Sequence, residues 1–204
     1  MKNFISLTFS VFLCLALIAC SGENNNAQTP DAPTTSETSE TTSQVDYGLM
    51  DLVNIYENIG GIVEDSALIV EVEITGTTEE ITYGGADFVL SDATVVDVIS
   101  GDTSYSNEDI ELFEVKSFDI NRTLEDGNRF ILFLEKYEGP VYEEEAFVII
   151  GAYQGKFNID ENNNVEYKAS EYNGITIFQS EITPVSVEQF KQEIKDIVKE
   201  QQKN

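Results

Sequence analysis

The side chains able to do chemistry in this chain are nearly all carboxylates. Asp160, Asn162 and Asn164 stand at positions one, three and five of a loop whose twelfth position is Glu171. That is the spacing at which an EF-hand offers oxygen ligands to calcium. Position six is Val165, where the sharp turn of such a loop requires glycine, so the same residues also read as the polar tip of a hairpin. Glu143, Glu144 and Glu145 form a compact acidic run, and Glu79 and Glu80 a shorter one. Clustered carboxylates suit hard cations, and charge runs equally suit a solvated loop. Arg122 and Arg129 are the only arginines. Each can hold a carboxylate bidentately, in a ligand or within the chain itself. Tyr153, Gln154, Lys156 and Phe157 border Gly151 and Gly155 and would line a groove or cover the core.

The composition removes much other chemistry. The chain has 38 Asp plus Glu, 11 Lys plus Arg and no His, for a formal net charge of −27. Such a surface repels phosphate, which excludes nucleic acid as a partner. Without His there is no Ser-His or Cys-His catalysis and no His-ligated metal. Of the two cysteines, Cys14 sits in an apolar leader and Cys20 closes it, so no thiol remains for nucleophilic or redox work in the folded part. Carboxylate-only glycoside hydrolysis stays conceivable, since it needs only two acids across a cleft. With this many acids, no particular pair is singled out. The expectation is therefore no catalytic residue, no cofactor and no enzyme activity.

The chain begins with Lys2 and the apolar run Phe4–Ala19, broken only by Ser6, Thr8 and Ser10. This is short for a membrane span and right for an export signal. It closes with Leu17, Ile18, Ala19 and Cys20, then Ser21 and Gly22, the pattern of a bacterial lipobox. Cys20 would become the new N-terminus and carry lipid, and two acyl chains suffice for stable anchoring on the outer face of the cell membrane. From Ser21 to Gln44 the residues are mostly Ser, Thr, Asn, Glu and Pro, with no large apolar side chain. Such a segment cannot offset its ordering entropy by burial and reads as a tether, with a mean span of roughly 25–30 Å. The expected division is a signal over 1–19, lipidated Cys20 with its tether over 20–45, and one folded domain over 46–204.

The elements that must position the candidate residues follow from periodicity. Leu49, Leu52, Val53, Tyr56 and Ile59 recur at helical spacing, predicting a short amphipathic helix that continues through Ile62 to Asp65 unless Gly60 and Gly61 weaken or break it. Ala67–Thr75 reads as a strand ended by Gly76, with Val70, Val72 and Ile74 inward and Glu71 and Glu73 outward. A second strand over about Ala86–Val98 changes phase near Asp92 and Ala93, which suggests a bulge. Strands follow over Ile110–Phe118, Arg129–Leu134, Phe147–Ile150 and Lys156–Ile159, then at Val165 and Tyr167 and again over Ile175–Phe178. The chain ends in a helix over about 186–200. Ser186 and Gln189 have capping-box spacing, Val187, Phe190, Ile194, Ile197 and Val198 make its apolar stripe, and Lys191, Lys195, Lys199 and Lys203 lie on another face. Seven or so short strands with two helices predict a mainly β fold, a small antiparallel barrel.

Four segments carry a family resemblance: Asp65–Gly76, Ala93–Asp102, Leu124–Leu134 and Gly151–Phe157. Their order resembles that of small extracytoplasmic bacterial lipoproteins whose core is an OB-like barrel related to the netrin and metalloproteinase-inhibitor domain. The resemblance implies the barrel. The chain has Ser100 where that pattern has Lys, and it lacks the N-terminal Cys ridge that the inhibitors use. No catalytic motif comes with the resemblance. The functional expectation is a membrane-anchored, non-enzymatic binding or interaction module of the cell envelope, with membrane contact through Cys20 and an envelope protein as partner. The alternatives are a cation- or solute-binding accessory lipoprotein and, behind it, a carboxylate-dependent hydrolase.

Overall fold

A computed structural model describes residues 52–116, 127–182 and 184–203. The order of elements is α1 (Ile59–Asp65), β1 (Leu68–Tyr83), β2 (Ala86–Ser100), β3 (Asp109–Val115), β4 (Arg129–Lys136), β5 (Phe147–Ile149), β6 (Lys156–Ile159), β7 (Asn164–Glu166), a single helical turn α2 (Gln179–Ile182), β8 (Val185–Ser186) and α3 (Val187–Gln201). The strands run β1-β2-β3-β5-β4, and β4 returns to pair with β1. The result is a closed five-strand OB-like barrel, mainly antiparallel as expected, with β3 and β5 as its parallel pair. β6, β7 and β8 extend the sheet from β4. Among the described residues no helix is long and apolar enough to cross a membrane.

Two clusters hold most of the core. Leu68, Val70, Val72, Ile74, Ala93, Val95, Ile110, Leu112, Phe130, Leu132 and Leu134 fill the barrel. Ile69, Ile131, Phe133, Phe157, Phe190 and Ile194 join outside it, where α1 and α3 cover the sheet. The continuous apolar run of β4 follows, because alternate residues serve opposite clusters and both faces are buried. A third, smaller cluster gathers Leu90, Phe113 and Ala146 under Tyr137, Tyr142 and Val148. Leu90 thus faces a different cluster from Ala93 and Val95, which is the phase change seen in the sequence. The nearby irregularity lies on β1, where Thr75 is the extra residue between the pairs Ile74–Ala93 and Gly76–Asp92.

Several expectations are corrected. The first helix starts only at Ile59 and contains Gly60 and Gly61. Leu52, Val53 and Tyr56 precede it, and Leu49 lies outside the described residues. The Asn58 side chain accepts from Gly61 N at 2.9 Å, and Gln201 donates to the Gly60 carbonyl at 2.8 Å. Capping and contact with α3 thereby override the low helical propensity of glycine. β1 does not stop at Gly76 but runs to Tyr83, because its ladder with β2 continues to a two-residue turn. Gly84 and Gly85 have φ of +61° and +86°, as a type I′ hairpin demands. Ile175–Phe178 forms no strand. Its backbone is served by side chains instead: Ile175 N donates to the Tyr153 hydroxyl at 3.1 Å, and the Tyr167 hydroxyl donates to the Ile175 carbonyl at 2.9 Å. The C-terminal helix has its expected cap, with the Ser186–Gln189 box formed in both directions.

Candidate functional site

The site grows from the end of β3. Ile110 and Leu112 point into the barrel and Phe113 points out, so Glu114 continues the inward series. It is 6% exposed. β5 pairs with β4 from Leu134 to Lys136, and β6 takes over from Leu132 to Arg129. The barrel wall therefore changes strand beside Glu114. Lys156 and Asn158 stand opposite Leu132 and Phe130 in that register, which puts them on the barrel-facing side of β6. Both are buried.

A cavity of about 160 Å³ adjoins this change of strand. Phe113, Tyr137, Val148, Ile149 and Ala152 form its apolar wall, with Val115 at the rim, and Glu114 is the one charged residue in its lining. Val115, Tyr137, Val148 and Ala152 are half-buried, so the cavity reaches solvent on that side. The Phe113 ring is fixed between Phe88 and Tyr137, with centroid separations of 4.9 and 4.4 Å. Among the described residues, Glu114 Oε1 has no hydrogen-bond partner. Burial pushes the Glu114 carboxyl up from its ordinary range, and the charge of Lys156 opposes that only in part. Burial likewise pushes Lys156 down, against the pull of Glu114. The chemical consequence is a proton-sensitive acceptor in an apolar wall, with its counter-charge already built in.

Of the residues singled out in the sequence, Lys156 belongs to this group. Tyr153 and Gln154 do not line a groove, being fully buried. Gln154 accepts from Tyr56 N at 3.0 Å and donates to the Asn54 carbonyl at 2.9 Å, pinning the segment before α1. Arg129 pairs with Glu71 and donates to Asn163 Oδ1 at 3.1 Å, which is the within-chain use of its guanidinium. Asp160 closes the β6–β7 hairpin. Its Oδ1 accepts from the amides of Asn162 and Asn164 at 2.9 and 2.7 Å, and its Oδ2 accepts from the Asn164 side chain at 3.2 Å. These bonds hold its carboxyl below the ordinary range. Glu171 is exposed on a separate turn, Lys168–Tyr172. Glu145 is paired with Lys136 at 2.6 Å and Glu80 with Lys116 at 2.5 Å, while Glu79, Glu143 and Glu144 are exposed. Arg122 and Cys20 lie outside the described residues.

Two groups were missed in the sequence. Glu71, read as outward, is 2% exposed. It pairs with Arg129 and with Lys191 of α3, and Lys191 also reaches Asp97 at 3.0 Å. Burial acts to raise the Glu71 carboxyl, and the hydrogen bonds from Lys191 and Arg129 outweigh it, so it titrates below its ordinary range. The available signal was Lys191 itself, four residues after Val187 and three before Ile194, inside the helix's apolar stripe. For Glu114 the signal was its place in the inward series Ile110, Leu112, Glu114.

Set against known proteins, the chain matches no protein-family model and no curated protein.

Proposed function

We propose that this protein is a lipid-anchored, extracytoplasmic binding module of the cell envelope, held to the membrane through Cys20 and non-enzymatic. The observation that carries the reading is the cavity at the β3–β5 end, an apolar wall around a single buried carboxyl. One fixed acceptor in a dry wall orients a bound molecule. Acid–base or covalent turnover of a glycoside would call on a second carboxylate facing the first. The filled barrel supports the same reading, since its interior side chains act as a scaffold. Within the binding class, the cavity favours a small solute over a cation, because its wall is mostly carbon and the Asp160 loop spends its oxygens on its own amides.

The anchor is tested by mass spectrometry of the mature N-terminus. The expected species begins at a diacylglyceryl Cys20, and Cys20→Ser moves the protein from the membrane to the soluble fraction. A mature chain retaining residues before Cys20 would overturn the anchor. A rise in melting temperature at millimolar calcium would shift the reading to cation binding, because a ligand of the native state must stabilise it.

A further inference from the structure

We propose that the cavity beside β3 takes a neutral molecule with an apolar body about the size of one ring and a single hydrogen-bond donor, an alcohol or secondary amide, whose donor reaches Glu114. This deepens the binding-module reading and rests on it. Three observations set the ligand class. The first is size: at about 160 Å³, the cavity matches the roughly 150 Å³ apolar cavity that accepts benzene in an engineered protein. The second is the wall, where Phe113, Tyr137, Val148 and Ile149 offer ring and aliphatic surface.

The third is the polar lining. Glu114 Oε1 is buried and, among the described residues, accepts no hydrogen bond, and leaving such an acceptor unserved is costly. A ligand hydroxyl or amide N–H would serve it. Charge disfavours the obvious competitor. Lys156 is buried on the barrel-facing side of β6, the side to which Glu114 points, so an ammonium ligand would bring a second cation into a desolvated space that holds one carboxylate. A ligand carboxylate would meet Glu114 as a like charge. The neutral donor is the class that satisfies the acceptor without disturbing that balance.

Benzyl alcohol, ethylbenzene and benzylamine share a shape and differ only in the polar end. The full chain in detergent is titrated with each at pH 7, with free probe fixed by dialysis and the methyl signals of Val148, Ile149 and Ala152 read by NMR. Benzyl alcohol is expected to saturate these signals with an affinity at least about tenfold above that of ethylbenzene, the fold-change of one hydrogen bond to a charged acceptor, and above that of benzylamine. Glu114→Leu is expected to abolish the advantage of the alcohol while retaining ethylbenzene. Val148→Phe, which fills the cavity from its rim, is expected to abolish all three responses, and it carries the test if Glu114→Leu does not fold. Equal or tighter binding of ethylbenzene or benzylamine, responses that survive Val148→Phe, or no saturable response to any probe would overturn the proposal. The lipidated N-terminus is read separately, so loss of this ligand class leaves the anchor standing and loss of the anchor leaves this result intact.

Discussion

At the scale of single residues, the molecule keeps two buried carboxylates in opposite electrostatic settings. Glu71 is held ionised by Lys191 and Arg129, with a carboxyl below its ordinary value of 4.5. A depressed carboxyl contributes stability above its unfolded value and loses it as pH falls through the folded one. Glu71→Gln is therefore expected to cost about 3–5 kcal/mol at pH 7, the range for breaking a buried pair. The gap to wild type should close below pH 4.5. Urea unfolding at stepped pH checks this, and a gap that stays constant would show that the pair contributes no charge term. Glu114 has the reverse sign. Its folded value is raised, so the stability it gives is complete below its unfolded value of 4.5 and is lost as pH rises through the folded value. The stability of Glu114→Gln relative to wild type should then increase from pH 4.5 toward neutrality. A flat difference would mean that the carboxyl ionises as freely in the native state as in the unfolded chain.

At the scale of elements, the joints are made by side chains reaching backbone. Segment 52–56 has no regular structure, yet Gln154 binds both Asn54 and Tyr56 from a fully buried position. The Tyr56 hydroxyl then donates to Asp65 at 3.0 Å on α1. Removing the amide leaves the buried Tyr56 N–H unserved, worth about 1–3 kcal/mol. Gln154→Ala should accelerate hydrogen exchange at the Tyr56 amide by one to two orders of magnitude, on the order of that free energy. The amides of Ile131 and Phe133 in β4 should keep their protection. Uniform acceleration throughout the barrel would show that Gln154 supports the whole fold instead of one strap. A single glycine decides another joint. Gly101 has φ of +106°, and a Cβ there would lie 2.7 Å from the Ala67 carbonyl, so the turn leaving β2 can pass the start of β1 only without a side chain.

At the scale of the whole molecule, the dominant quantity is the net charge of −27. Self-repulsion of that size opposes compaction at low ionic strength. The paired acids, Glu71, Glu80 and Glu145 among them, relieve it only locally. The melting temperature should therefore rise with sodium chloride as the Debye length falls from roughly 30 Å at 0.01 M to roughly 8 Å at 0.15 M. A flat or falling curve would place the stabilising share of the charge in exposed ion pairs, which salt weakens.

The sequence by itself determined the mainly β class, the small antiparallel barrel, the C-terminal helix and the Ser186 cap, because these rest on local signals: periodicity, turn residues and capping spacing. It also held the Gly84–Gly85 hairpin and the inward phase of Glu114, which stand legible in the chain. Only the tertiary structure decided that Glu71 lies inside, because Arg129 is 58 positions away and Lys191 lies on the last helix. A strand's alternation cannot register partners that distant. It likewise decided that Ile175 is served by two tyrosines instead of a neighbouring strand, and that Lys156 enters the barrel-facing side where β5 gives way to β6. Each depends on which separate segments meet in the fold, and pairing of that kind leaves no local trace.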